Sequence, residues 1–373
     1  MDSRYLGNIL VHIMNDGTVF LLPSVLPLIV LEYGFSFSTA GFISAIIPFC
    51  LSMIQTPIGR IADRLPSTVL LRAGIMIVGT GALMVWMAPP LFIPALFIIG
   101  IGGSFYHPVG YAFTSRIVKR GSAGYALGMQ SSSGDIGILV AFLAAGPLAI
   151  FAGWRAVFGV WGILCFSIAV ITSLMFRGDG ASPSEAKSSL SLLKKRDALL
   201  VMVVFAILGT VQRIIYTYLP TIFFLGGLDI TSADLIYALL IGVGIAGGII
   251  GGRFTDKYGP RKIVVAFFAI MFAALLALFM SPALSFAIAM IVILGVTSPG
   301  VYPPLYYMMR EVTGGKLVGT AYGLLLSLGM LCGIGGVTIG GYIIDYAPNL
   351  IYVFAALLAL AGAAIALKFP KKQ

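Results

Sequence analysis

The sequence predicts an all-α membrane protein, with twelve transmembrane helices in two pseudo-symmetric six-helix bundles, on three observations. The 373 residues are 60% hydrophobic and 10% charged, with a mean hydropathy of +1.06, which leaves too little polar surface to clothe a soluble globule of this length. Apolar runs recur along the whole chain at the spacing expected of membrane spans, about 20 to 28 residues each with its loop. Finally, Gly59-Arg60-Ile61-Ala62-Asp63-Arg64 returns as Gly252-Arg253-Phe254-Thr255-Asp256-Lys257, 193 positions later. Each copy follows the second apolar segment of its half, so the chain reads as a duplicated membrane unit.

Taken in order, the apolar segments fall near 5–31, 37–58, 68–88, 91–115, 122–148, 153–176, 198–225, 233–252, 262–280, 283–309, 317–343 and 349–368. The first is expected to stay in the mature protein. His12, Asn15 and Asp16 interrupt what would be the apolar core of a signal peptide, and no small-residue cleavage site follows. Between the sixth and seventh lies the one stretch of soluble composition, Arg177 to Asp197 (RGDGASPSEAKSSLSLLKKRD), expected to be a flexible tether. The expected organisation is an N-terminal bundle over 1–176, a cytoplasmic linker over 177–197 and a C-terminal bundle over 198–373. Pro108 in the fourth segment, and Pro303 and Pro304 about 195 positions on in the tenth, predict matching kinks.

The formal net charge of +10 points to nucleic acid only when basic residues form one patch. Here they alternate by loop. Arg60, Arg64 and Arg72, then Arg116, Lys119 and Arg120, then the linker lysines, then Arg253, Lys257, Arg261 and Lys262, then Arg310 and Lys316, and finally Lys368, Lys371 and Lys372 occupy the even-numbered connections and the C-terminus. The odd-numbered loops carry Glu32, Asp229, Asp234 and Asp345, with Arg155 the basic exception. The positive-inside rule then places both termini in the cytoplasm of a multi-pass plasma-membrane protein. The basic excess is a topology signal that brings contact with membrane lipid and no nucleic-acid partner. Cys50, Cys165 and Cys332 lie singly inside apolar segments, and the two histidines do not form a zinc-binding helix motif, so no metal is expected. No Gly-rich loop followed by Lys and Ser or Thr is present to hold ATP. No cofactor is expected, and an ion gradient is the expected driving force.

These features resemble the Major Facilitator Superfamily of twelve-helix transporters over the whole chain. The repeated hinge is similar to that family's loop between helices two and three: Gly59, Asp63 and Arg64 match in the first copy, and Gly252, Asp256, Gly259, Arg261 and Lys262 in the second, with Lys257 for Arg. Gly153-Trp154-Arg155 and Gly319-Thr320-Ala321-Tyr322-Gly323 are further similar features. His12-Ile13-Met14-Asn15-Asp16 and Phe105-Tyr106-His107-Pro108 resemble the fosmidomycin resistance group of efflux carriers within that family. The resemblance implies a monomeric secondary transporter, no enzyme, that exchanges a small amphiphilic or anionic compound for protons by alternating access. Proton-coupled uptake of an organic anion or other metabolite is the alternative.

The residues carry their own argument. Asp16 lies ~17 Å along its helix from Tyr5, near the bilayer midplane, where a charge costs about 2.5 to 3.5 kcal/mol on insertion scales. It must therefore face protein or water. His12 shares its helix face, and a desolvated carboxyl beside an imidazole has proton-coupling chemistry; a structural network tying helices together is the other reading of the same cluster. Asp135 is a second candidate proton carrier or the partner that satisfies His107 or the helix-one cluster, and His107 is a further candidate proton carrier. Arg213 falls at the depth of Asp16 once the repeat offset is subtracted, and its guanidinium suits an anionic substrate group or a carboxylate of the protein. Asn15, Tyr106, Gln130, Gln212, Tyr216, Tyr302 and Tyr306 complete the candidate substrate-binding set. Gly59, Asp63, Arg64, Gly252, Asp256 and Lys257 are the candidate conformational latch, in which a carboxylate at a helix end accepts from the exposed amides of a neighbouring helix N-terminus.

Overall fold

The computed structural model describes residues 2–35, 37–176, 194–228, 230–281, 283–315 and 317–370. Most of the expected linker, 177–193, lies outside the described residues, as do Asp229, Lys316, Lys371, Lys372 and the side chains of Asp234 and Asp345. Among the described residues every long element is an α-helix. In chain order these are α1 (Ser3–Val19), α2 (Leu22–Tyr33), α3 (Phe37–Ala62), α4 (Ser67–Met87), α5 (Phe92–Ile117), α6 (Ala123–Ala152) and α7 (Trp154–Met175). After the linker come α8 (Arg196–Leu225), α9 (Ile230–Tyr258), α10 (Pro260–Met280), α11 (Leu284–Gly300), α12 (Tyr302–Thr313), α13 (Val318–Tyr346) and α14 (Leu350–Ala366). Among the described residues eleven segments are long and apolar enough to cross a membrane, and Leu350–Ala366 is a shorter apolar helix.

Two expected single helices are each broken into two. In the first span α1 stops at Val19 and α2 starts at Leu22. Pro23 has no N–H to give the carbonyl four residues back and crowds it, and Thr18 Oγ1 turns back onto the Met14 carbonyl at 2.7 Å, a contact that bends helices. In the tenth, Pro303 and Pro304 restart the helix as α12 after the break at Val301. The fourth span differs: α5 runs unbroken from Phe92 to Ile117 with Pro108 inside it. Tight helix-to-helix turns depend on glycine at two points. Gly153 (φ 82) separates α6 from α7 and Gly259 (φ 87) separates α9 from α10, a left-handed conformation that costs a residue with a Cβ roughly 1 kcal/mol or more.

The chain forms two compact units. One comprises Met1–Ile117, Ser133–Lys187 and Lys316–Ser327; the other comprises Val118–Ser132, Ser188–Gly315 and Leu328–Gln373. Each unit thus draws on both sequence halves, because the first turns of α6 group with the later helices and the first turns of α13 group with the earlier ones. In the first unit α4 packs on α5 and α7, and α1 packs on α5 and α7. In the second, α9 packs on α11, and α10 on α14. Apolar attraction between helices is weak where lipid tails are the alternative, so close backbone approach at small residues and buried polar contacts specify these packings.

Candidate functional site

Asn8, His12 and Asp16 stand four residues apart on α1, so they form one polar stripe along a single helix face. All three are buried, His12 at 1% and Asp16 at 5% exposure. At the lower end of the stripe, Asn8 Nδ2 donates to the Gly110 carbonyl and to Thr114 Oγ1, both at 2.9 Å, on α5. In the middle, the His12 ring stacks on Tyr106 with centroids 4.3 Å apart, and the Tyr106 hydroxyl donates to the Asn8 carbonyl at 3.1 Å. At the upper end, Asp16 Oδ2 faces His12 Nε2 at 3.1 Å and His107 Nε2 at 3.6 Å, while Asn15 Nδ2 donates to Asp16 Oδ1 at 2.8 Å. A buried carboxylate is tolerated only with such partners.

The other side of the cluster is α6. Ser133 Oγ lies 2.9 Å from His12 Nδ1, and Gly134 leaves room for the pair: a Cβ there would stand 2.5 Å from Asp16 Oδ2 and 2.6 Å from His12 Nε2. Asp135, half-buried on the next position, is within electrostatic reach of Asp16. The structure therefore brings His12, Asn15, Asp16, Tyr106, His107 and Asp135 into one region of the first unit. Their metal-ligand atoms, on His12, Asp16 and His107, lie within 4.8 Å of one another. Both Nε2 atoms face a single carboxylate oxygen.

The remaining substrate candidates lie in the second unit. Tyr302 on α12 donates to Gln212 Oε1 on α8, and Gln212 Nε2 donates to the Tyr216 hydroxyl at 3.1 Å. Tyr302 stacks on Tyr306 with centroids 6.2 Å apart, and Phe205 backs both rings at 5.3 and 5.6 Å. Arg213, one position from Gln212, reaches Met330 Sδ at 3.1 Å; among the described side chains no carboxylate pairs with it. Gln130 is buried on the first turns of α6.

Both copies of the hinge carry the same contact. Asp63, just past the end of α3, accepts from the Gly319 and Thr320 amides at 2.9 Å each and from Thr320 Oγ1 at 2.6 Å, at the N-terminus of α13. Asp256, in the last turn of α9, accepts from the Gly124 and Tyr125 amides at 2.9 and 2.7 Å, at the N-terminus of α6. These are unsatisfied first-turn donors at the positive end of a helix, where a carboxylate is favoured. Gly59 and Gly319 let α3 and α13 touch backbone to backbone, and Gly252 and Gly124 do so for α9 and α6. The basic residues stand elsewhere than in the motif. Arg64 is exposed, and the guanidinium beside Asp63 is that of Arg116, which reaches Asp63 Oδ1 at 3.3 Å, the Ala62 carbonyl at 3.1 Å and Ser67 Oγ at 3.1 Å. Lys257 lies over the Tyr258 ring, and Arg253 over the Tyr125 ring at 4.9 Å.

A third polar knot ties α2 to α7. Glu32 accepts from Trp154 Nε1 at 2.6 Å and from Arg155 at 3.0 and 2.5 Å, and Arg155 also donates to the Tyr33 hydroxyl at 3.0 Å. The Arg155 hydrogen bonds first, and then the Trp154 indole, hold the Glu32 carboxyl below its usual range.

Asn8, Ser133, Gly134 and Arg116 are participants that the sequence reading did not single out, and Thr320 entered it only as part of a family-like motif. Asn8 had a signal, since it extends the four-residue polar period of His12 and Asp16. Arg116 had none beyond its place in a basic loop.

Comparison with known proteins agrees with this architecture. The family model of the Major Facilitator Superfamily matches residues 9–336 and 227–373. The fosmidomycin resistance protein of Escherichia coli (strain K12) is 24% identical over 370 residues, covering 94% of this chain and 89% of that protein. The multidrug resistance protein MdtG of Escherichia fergusonii is 29% identical over 292 residues, covering 71% of this chain and 69% of its own. Among solved structures, the transporter FucP in its outward conformation superposes with a TM-score of 0.83 at 15% identity, covering 99% of this chain and 100% of FucP. On the strength of the family match across its length, the chain belongs to the Major Facilitator Superfamily and is a multi-pass membrane transporter.

Proposed function

We propose that this protein exports a small amphiphilic or anionic compound from the cell in exchange for protons, by alternating access in the plasma membrane with both termini cytoplasmic. The observation that carries the reading is the buried His12–Asp16–His107 group, with Asp16 Oδ2 shared between two imidazoles. A membrane protein retains such a group at a cost of several kcal/mol, and proton relays are the usual use of it. His12, Asp16, His107 and Asp135 are the proton-coupling residues in this reading. Asn15, Tyr106, Gln130, Gln212, Arg213, Tyr216, Tyr302 and Tyr306 serve the substrate. The sequence halves 1–176 and 198–373 act as the moving bundles of a monomer, with 177–197 as the tether. Contacts at Gly59, Asp63, Gly252 and Asp256 hold one conformational state, with Arg64 and Lys257 of the motif standing outside them.

The efflux direction is supported by the names of the relatives, a fosmidomycin resistance protein and multidrug resistance proteins. An anionic substrate is supported by Arg213, a guanidinium that no described carboxylate neutralises. The same observation favours a second reading, proton-coupled uptake of an organic anion.

The test is transport in liposomes with a trapped pH dye, using fosmidomycin and a lipophilic dye as probes. Wild-type protein is expected to move probe and protons in opposite directions when a pH gradient is imposed, and Asp16→Asn to abolish the proton flux while probe binding persists. Movement in the same direction as protons selects uptake. Probe movement in wild type that ignores the gradient rejects proton coupling.

A further inference from the structure

Asp16 Oδ2 stands 3.1 Å from His12 Nε2, and the far nitrogen of His12 has a hydrogen-bond partner of its own, Ser133 Oγ on α6 at 2.9 Å from Nδ1. The chemistry of the three groups restricts how that hydroxyl can point. An ionised carboxylate only accepts, so when Asp16 is ionised and His12 neutral, the proton of the ring sits on Nε2, facing Asp16. Nδ1 then carries a bare lone pair, and Ser133 must donate to it. An added proton can lie on either member of the pair. If it lies on His12, both ring nitrogens carry hydrogen. If it lies on Asp16, the carboxyl donates to Nε2 and the remaining ring proton moves to Nδ1. In both loaded forms Nδ1 is N–H and Ser133 must accept.

We propose that Ser133 is the positioning residue of the proton site, whose hydroxyl reverses direction as the Asp16–His12 pair loads and releases a proton and so sets the tautomer and proton affinity of His12. The proposal deepens the proton-coupled reading above and rests on it for its role in transport. A hydroxyl is the smallest side-chain group that serves as donor in one state and acceptor in the other. The titratable groups facing His12 are Asp16 on its own helix at Nε2, and Tyr106, His107 and Tyr111 on α5, which present ring faces and edges with centroids 4.3, 5.3 and 6.0 Å away. Asp135 on α6 is within electrostatic reach of Asp16. From α7, Cys165 turns to Thr18.

Removing the hydroxyl harms the loaded state more. A buried N–H of a charged ring left without an acceptor loses a stronger hydrogen bond than a neutral lone pair left without a donor. Ser133→Ala is therefore expected to shift proton loading toward acid by about one pH unit. The chain has two histidines, which makes the experiment direct. Protein labelled with 15N-histidine is reconstituted in lipid, and the ring-nitrogen shifts are followed by solid-state NMR through a pH titration, with His107→Gln used to assign the His12 signals.

The expected result is an Nε2–H tautomer of His12 at high pH that gains hydrogen on Nδ1 as pH falls. The midpoint should be about one pH unit lower in Ser133→Ala and within a few tenths of wild type in Ser133→Thr. An unshifted midpoint in Ser133→Ala, or an Nδ1–H tautomer in wild type at high pH, overturns the proposal. Because the titration needs no substrate, a shifted midpoint alongside gradient-independent transport would uphold the Ser133 assignment and reject the coupling reading instead.

Discussion

Thr320 donates twice to one oxygen of Asp63, through its amide at 2.9 Å and its hydroxyl at 2.6 Å, across 257 positions of chain. With the Gly319 amide and Arg116 added, that carboxylate takes four donors, whereas Asp256 takes two backbone amides.

The two hinge copies should therefore be unequal. Asp63→Asn is expected to weaken the α3–α13 contact by about 1 to 3 kcal/mol, and Asp256→Asn to weaken α6–α9 by less. Spin-label distances between α3 and α13, and between α6 and α9, report the fraction of molecules in which each pair has separated. Equal fractions in the two variants would contradict the donor count.

Arg116 and Arg64 make a second contrast. The Arg116 side chain is one-third exposed, so Arg116→Ala is expected to lower stability by about 1 kcal/mol after solvent screening. Arg64→Ala, at an exposed position, should stay within about 0.5 kcal/mol of wild type. Thermal unfolding in detergent measures both, and a double-mutant cycle with Asp63 should show coupling for Arg116 alone.

Much of this architecture was legible before the structure, for reasons that particular residues make plain. The spans were readable because lipid demands long apolar runs, and the hinge aspartates because their spacing repeats. The breaks after Val19 and at Val301 were less legible: proline marks a kink, but whether the helix stops, as before Pro303, or continues, as through Pro108, depends on which neighbours satisfy the freed carbonyl. Arg116 was illegible because a basic residue at a helix end also obeys the positive-inside rule. Ser133 was hidden among three consecutive serines, and only the approach of α6 to α1 over Gly134 selects the one that meets His12.

Gly134 gives a third prediction. Adding a methyl there drives Asp16 Oδ2 and His12 Nε2 apart or pushes α6 off α1, at about 1 to 3 kcal/mol of overpacking. Gly134→Ala should still insert and fold by circular dichroism, yet lose at least tenfold in pH-gradient-driven transport. Wild-type transport in this variant would place the proton site elsewhere.

Tyr302 provides a test confined to the second unit. Tyr302→Phe removes the hydrogen bond to Gln212 while keeping the stack on Tyr306. Affinity for the transported probe is expected to fall about threefold to tenfold, in line with roughly 1 kcal/mol per hydrogen bond, with the pH dependence of transport unchanged. An altered pH profile would argue against a substrate role.

Glu32 sets the sign of an acid effect. Its carboxyl is held below the usual range in the folded protein by Arg155 and Trp154, so the stabilisation it contributes is complete above the unfolded value, about 4.3, and is lost as pH falls through the folded value. Melting temperature should drop on acidification below about pH 4.3, and Glu32→Gln should remove part of that drop while lowering stability slightly at neutral pH. An identical acid limb in the variant would mean that the knot between α2 and α7 contributes nothing measurable.

The distance in chain between Asp63 and its partners also has a consequence in time. A ribosome adds roughly 5 to 20 residues per second, so the 256 positions separating Asp63 from Gly319 correspond to about 10 to 50 s in which that aspartate stands without the amides that will receive it. Asp256 emerges when Gly124 and Tyr125 have already been made, and can dock at once. During biogenesis, then, the end of α3 waits with Arg116 as its companion, and the arrival of α13 is the step that completes the first compact unit.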